Sequence, residues 1–180
     1  MRVSFCIPTH DGNARCQNYL FDIFHALSQQ TNKDFNVWIS DHSESDKVLD
    51  ACKEYADLFE INYIKNTKKY GNISANTNHA LQHADGDILK VLFSDDFILT
   101  CNLVAELDKA FTDDVHWAVT GYAHTVDDGQ THYNPKIPYH NDKLLEGVNT
   151  LSSPSILALK RGIDMYFDED LTMLMDCDMY

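Results

Sequence analysis

Two adjacent carboxylates, Asp95 and Asp96, end the apolar run from Ile88 to Phe93, and Phe97 and Ile98 follow directly. Side-by-side negative charges raise each other's pKa and cost free energy unless a cation or hydrogen-bond donors offset them. A solvated turn would meet that cost with water. A divalent cation would meet it by coordination, since hard cations take carboxylate oxygens and leave positions for phosphate oxygens. Two other apolar runs also close on polar clusters, Pro8-Thr9-His10-Asp11 and Asp41-His42-Ser43, and two further acids, Asp176 and Asp178, lie close to Tyr180. Thr9 or Asp41 taken singly reads as a helix cap. Three such clusters at three run ends outline a pocket.

The elements that must position these residues follow from periodicity. Val3, Phe5 and Ile7 alternate as a strand that Pro8 stops, and Leu20, Ile23, Phe24 and Leu27 recur at helical spacing between Arg15 and Gln30. Phe35 to Asp41 predicts a second strand, Ser45 to Phe59 a helix with Ser45 at its N-cap, and Ile61 to Ile64 a third strand. Ser74 to Ala84 predicts a helix stopped at Gly86, and Ile88 to Phe93 a central strand covered on both faces. Leu103, Leu107 and Phe111 give a further helix, and Trp117, Val119 and Gly121 open a fifth strand. His124 to Asp142 has no clear period and reads as strand fragments and loops. A strand over Ile156–Leu159 and a turn followed by a helix between Phe167 and Tyr180 complete the chain. Alternating strands and helices imply a mostly parallel α/β domain, whose ligands gather at the carboxyl ends of the strands.

Composition narrows the function. The 180 residues suit one domain, 1–180, and their 44% hydrophobic content suffices for a core. Against 28 Asp plus Glu stand only 14 Lys plus Arg, a formal net charge of −14. That balance opposes binding to a nucleic-acid backbone or an anionic membrane surface. An anionic small molecule would need a metal or helix N-termini for positive field. No run is long enough for a transmembrane segment, and the N-terminus reads as a strand rather than a signal peptide. The five scattered cysteines form no CxxC and are expected to be mostly buried, reduced thiols, which points to a cytoplasmic location.

The order PTHD, SDHS, GNIS followed by NHALQHADGD, then SDDF and finally FDEDLTMLMDCD resembles the family 2 glycosyltransferases of GT-A fold over nearly the whole chain. The resemblance implies inverting transfer of a sugar from a nucleotide-diphosphate donor, with UDP as the expected nucleotide, to a glycan or other acceptor hydroxyl. It also implies Mn²⁺ or Mg²⁺ as cofactor. Pro8, Thr9, His10 and Asp11 then line the nucleoside, and Asp41 matches the acid on the base. Asn78 and Gly86 match the region leading into the metal-binding strand. Ser94, Asp95 and Asp96 occupy the D-x-D position, Asp96 as metal ligand and Asp95 on ribose or metal. Asp176 matches the general base. Residues two apart on a helix diverge by about 200°, so Asp176 and Asp178 cannot both point into one cleft. Residues 1–100 become the nucleotide half and 101–180 the acceptor and catalytic half.

Several positions depart from the pattern. Ser94 replaces the first acid of D-x-D, and Thr77 stands where an Arg is usual, leaving Lys68, Lys69 or Arg15 as substitutes toward phosphate. Relatives often continue past the base with an acceptor segment and a further ligand, frequently His. Here His124, His132 and His140 are the candidates, each otherwise a loop or surface residue. The acceptor site is therefore shallow, completed by a second copy or another partner, or absent. Ser152 and Ser153 either bond sugar hydroxyls or form a polar turn. The competing functions are a non-catalytic nucleotide- or glycan-binding relative and a nucleotidyltransferase. The latter is disfavoured because PTHDGNAR lacks a Gly-rich basic phosphate loop.

Overall fold

A computed structural model of the protein describes residues 1–171 and 175–179, and within 175–179 the side chains of Met175, Cys177 and Met179. Chain order runs β1 (Val3–Thr9), α1 (Cys16–Ser28), β2 (Phe35–Asp41), α2 (Lys47–Tyr55), β3 (Ile61–Lys65), α3 (Ile73–His83) and β4 (Ile88–Val91). There follow α4 (Leu103–Ala110), β5 (Trp117–Val119), β6 (Tyr122–His124), β7 (Tyr133–Lys136), β8 (Leu157–Lys160) and α5 (Met175–Met179). The main sheet has the order β3-β2-β1-β4-β8-β5. β1 pairs in parallel with β2 and β4, β2 in parallel with β3, and β8 runs antiparallel to both β4 and β5.

Period-two alternation sorts the strand residues into two apolar layers. Val3, Phe5 and Ile7 of β1 join Val37 and Ile39 of β2 and Ile88 of β4 beneath Leu20, Phe24 and Leu27 of α1, with Val48 of α2 and Leu107 of α4. The opposite layer sets Cys6, Leu89, Val91 and Leu159 against Ala80 and Leu81 of α3 and Met175 and Met179 of α5. Burial on both faces makes all seven residues of β1 inaccessible, as a central parallel strand requires. Gly86 enters β4 because nothing larger fits: an added Cβ would lie 2.7 Å from the backbone nitrogen of Ser4.

Several boundaries differ from expectation. β1 continues through Pro8 to Thr9, because Pro8 pairs in register with Ser40 at the strand end. α2 starts at Lys47, not Ser45, since the Ser45 hydroxyl is donated to Asp11. β4 stops at Val91, and the Phe93 N–H goes to Ser155 Oγ at 2.7 Å instead of to a strand. The segment 124–142 contains an antiparallel partner for β6, forming a two-stranded β6–β7 hairpin beside the main sheet. Among the described residues no helix is long and apolar enough to cross a membrane.

Candidate functional site

β1 lies between β2 and β4, so the chain leaves its carboxyl end toward β2 on one side and meets β4 on the other. Such a reversal opens a crevice beyond the strand ends, and the loops after β1, β2 and β4 border it. Asp11 ties the first two together. Its carboxylate accepts from the backbone N–H groups of Glu44 at 3.3 Å and Ser45 at 3.0 Å, and from the Ser45 hydroxyl. The hydroxyl, more than any other group, holds the Asp11 carboxyl below its usual range. His10 is exposed and accepts from the Gly12 N–H at 2.9 Å. Deeper in, the hydroxyls of Thr9 and Ser43 are buried without a hydrogen-bond partner among the described residues.

Asp41 is fully buried. One of its oxygens accepts from the Ser43 N–H at 2.8 Å, and the other accepts from Tyr63 at 2.7 Å and the Lys65 ammonium at 3.2 Å. Burial first, then the Asp41 bond, raises the Tyr63 phenol far above its ordinary pKa, which keeps it a donor. Asp41 therefore braces the loop through an Asx turn and does not cap α2. Beside it Asn76 uses its whole amide: Nδ2 donates to the carbonyls of Thr9 and Ser40, each at 3.1 Å, and Oδ1 accepts from Ser40 and Asn66. Asn78, two residues on, spends its amide elsewhere. It donates to the Phe167 carbonyl and Glu169 and accepts from the Phe167 N–H, clamping residues 167–169 onto α3.

After β4 the chain turns through Ser94, Asp95 and Asp96, closed by the Asp96 N–H on the Phe93 carbonyl at 3.1 Å. Ser153 donates to Asp96 at 3.0 Å, and no Lys or Arg forms an ion pair with either acid among the described residues. Packed surroundings and then the Asp96 charge push the Asp95 carboxyl above its usual range. Lys90, which takes an inward place between Ile88 and Leu92, is buried and donates to the carbonyls of Ser155 and Leu157. Burial lowers its ammonium to about 7. Asp95, Asp96 and Ser153 stand on the rim of a cavity of about 740 Å³ between α4 and β5–β6, whose walls include Leu103, Leu107, Val119 and Ile156. The β6–β7 loop docks beside this turn, with Gly129 against the Phe97 ring and Asp128 paired to Arg15 at 2.5 Å.

The expected residues thus divide. Thr9 ends β1 at the crevice, His10, Asp11 and Ser94 to Asp96 lie on the loops bordering it, Pro8 is inside β1, and Asp41 and Asn78 are braces. Asp176 and Asp178 fall on α5, but their side chains lie outside the described residues. α5 itself rests on Ser74 through Met175 and on the Leu144, Leu151 and Ile156 cluster through Cys177. Of the expected phosphate-facing cations, Arg15 is held by Asp128 and Lys69 by Glu169 at 2.8 Å. His124 and His132 line the cavity with Asp95 and Asp96, yet no group of three ligands forms among the described residues. Sequence reasoning missed Asn76, Lys90 and the Ser153–Asp96 bond. The polar turn SSPS was visible, but its meeting with SDDF, 57 residues away, was not.

A divalent cation fits this donor set. Asp95 and Asp96 are hard oxygen donors with no ion-paired cation among the described residues, and burial first, then the Asp96 charge, drives Asp95 toward its protonated form. A site supplying only two carboxylates leaves positions for water and phosphate oxygens.

A family model described as glycosyl transferase family 2 matches residues 4–178. No curated protein matches the chain. Among solved structures, S. aureus TarS 1-349 is 21% identical with a TM-score of 0.69, and the match covers 99% of this chain and 54% of that one. The same protein in complex with UDP-GlcNAc is 20% identical, with a TM-score of 0.65 over 99% of this chain and 53% of that one. The mannosyltransferase PcManGT from Pyrobaculum calidifontis, in complex with GDP-Man and Mn²⁺, is 18% identical, with a TM-score of 0.63 over 94% of this chain and 48% of that one. These likenesses show the shared GT-A fold. The chain spans about half the length of these proteins.

Proposed function

This chain belongs to glycosyl transferase family 2, and on that premise we propose that it transfers a sugar, with inversion, from a nucleotide-diphosphate donor to an acceptor hydroxyl. One observation carries the proposal: the Asp95–Asp96 pair, without an ion-paired cation among the described residues, stands at the reversal point of a parallel sheet. UDP is the preferred nucleotide and Mn²⁺ or Mg²⁺ the preferred cation; TarS in complex with UDP-GlcNAc supports the first, and PcManGT in complex with GDP-Man and Mn²⁺ supports a divalent cation. Residues 1–100 form the donor half and residues 101–180 the acceptor half.

In this scheme Asp96, steadied by Ser153, holds the cation with Asp95 beside it. The bound cation supplies Lewis-acid stabilisation to the departing diphosphate. Thr9 and Ser43 bring buried hydroxyls, without a partner among the described residues, to the nucleoside side of the crevice. Asp41 keeps the β2 loop in shape for the base. The cavity behind the acid pair receives the acceptor, and an α5 carboxylate, Asp176, takes the proton from the attacking hydroxyl.

A thermal-shift panel of nucleotide sugars with and without Mn²⁺ tests the scheme. A UDP-sugar is expected to raise Tm only with metal, and Asp96→Ala should abolish the rise. Stabilisation that is identical in Asp96→Ala would overturn the metal assignment. Binding without turnover toward any acceptor would identify a non-catalytic nucleotide-binding member.

A further inference from the structure

Helix α3 carries a second candidate metal centre outside the crevice. His79 and His83 are four residues apart, so they share one face of the helix, and their ring centroids lie 4.5 Å apart. Proton counting fixes the tautomer of each. Asn76 Nδ2 spends both hydrogens on carbonyls, so Asn76 Oδ1 is the acceptor of the Ser40 hydroxyl proton. Ser40 Oγ, 2.8 Å from His79 Nδ1, has no proton left to give, and His79 Nδ1–H must be the donor. His83 Nδ1 lies 2.8 Å from the His79 carbonyl, which can only accept. Both rings therefore carry a proton on Nδ1, and in the neutral imidazole Nε2 is the bare lone pair.

That is the arrangement in which imidazole ligates metal: one nitrogen fixed by donation to a protein oxygen, the other free for coordination. Two imidazoles meeting one cation at about 2.0–2.1 Å hold their ring centres roughly 4.5–5 Å apart, a separation that these two rings already have. We propose that His79 and His83 form a two-imidazole site for a borderline divalent cation, Cu²⁺, Ni²⁺ or Zn²⁺, on α3. Nitrogen donors select such ions over Mg²⁺ and Mn²⁺, and Cu²⁺ binds tightest of the three. Among the described residues no third His, Cys, Asp or Glu joins the pair, so water or an incoming ligand fills the remaining positions.

Trp38 reports on the site, since its ring lies 6.4 Å from that of His83, whereas Trp117 is on β5 near the opposite edge of the sheet. Titrating the whole chain, free of any tag, with Cu²⁺ should quench tryptophan fluorescence saturably. His83 is exposed, so His83→Gln should leave the circular dichroism spectrum unchanged while weakening that Cu²⁺ affinity at least about tenfold. Electron paramagnetic resonance of the Cu²⁺ complex should show two imidazole nitrogens in the native chain and one in His83→Gln. A Cu²⁺ titration unaltered in both His83→Gln and His83→Ala would overturn the site. Neither outcome bears on the Asp95–Asp96 centre, which the nucleotide-sugar panel tests separately.

Discussion

Ser153 donates its hydroxyl to Asp96 at 3.0 Å, joining the turn after β4 to the loop before β8. The bond steadies a carboxylate that would otherwise reorient in the field of Asp95. Ser153→Ala is expected to leave the fold intact and weaken Mn²⁺-dependent nucleotide binding roughly tenfold, about 1.4 kcal/mol, the scale of one hydrogen bond to a charged group. Calorimetric titration of UDP with Mn²⁺ checks it. An unchanged affinity would mean that Asp96 needs no such support.

Lys90 makes stability depend on pH in a calculable direction. Its folded pKa is lowered to about 7, against an ordinary value of 10.5. Between those two values the unfolded chain holds more protons than the folded one, so this group makes stability rise with pH across that window. Lys90→Met removes the dependence. The variant's stability relative to the native chain should be most favourable near pH 6 and decline by about 1.4 kcal/mol per pH unit through the window. The lost bonds to the Ser155 and Leu157 carbonyls add an offset independent of pH. Urea unfolding at pH 6, 8 and 10 measures both, and a difference flat in pH would contradict the burial of a neutral amine.

Asn78 offers a separation of binding from turnover. Its amide holds residues 167–169, the segment leading toward α5, through two bonds to Phe167 and one to Glu169. If α5 supplies the base, Asn78→Ala should lower kcat about tenfold or more while KM for the donor stays near native. A rise in donor KM at constant kcat would instead return Asn78 to the nucleotide site.

What could be read from the sequence was local, and what could not was pairwise. Alternation in Val3, Phe5 and Ile7 and the helical spacing of Leu20, Ile23, Phe24 and Leu27 gave the parallel half of the sheet, because each apolar period marks the face its element turns to the shared core. β8 inserting antiparallel between β4 and β5 left no such mark, since antiparallel and parallel strands this short share one composition. Ser45 looked like a cap because Ser usually is one, and only contact with Asp11 across 34 residues reassigns it. Likewise Asn76 and Asn78 are equivalent in sequence, and the fold alone decides that one braces β1 and β2 while the other grips residues 167–169. The acid pair was legible for the opposite reason: two adjacent charges beside a core demand compensation wherever they fold.

The two acids of α5 make the most discriminating prediction. Met175 and Met179 face the layer shared with α3, and Cys177 packs toward Leu151 and Ile156, the latter lining the cavity. Positions two apart on a helix diverge by about 200°, so one carboxylate at most can serve an acceptor hydroxyl. Asp176→Asn is expected to cut turnover by 10² or more, the range of general-base catalysis, while metal-dependent UDP-sugar binding stays native. Asp178→Asn should cost less than threefold. Initial rates of sugar transfer, paired with thermal-shift binding of the donor, distinguish the two. The reverse order would assign the base to Asp178, and equal modest losses in both would remove α5 from the chemistry and leave proton transfer to another group on the cavity rim.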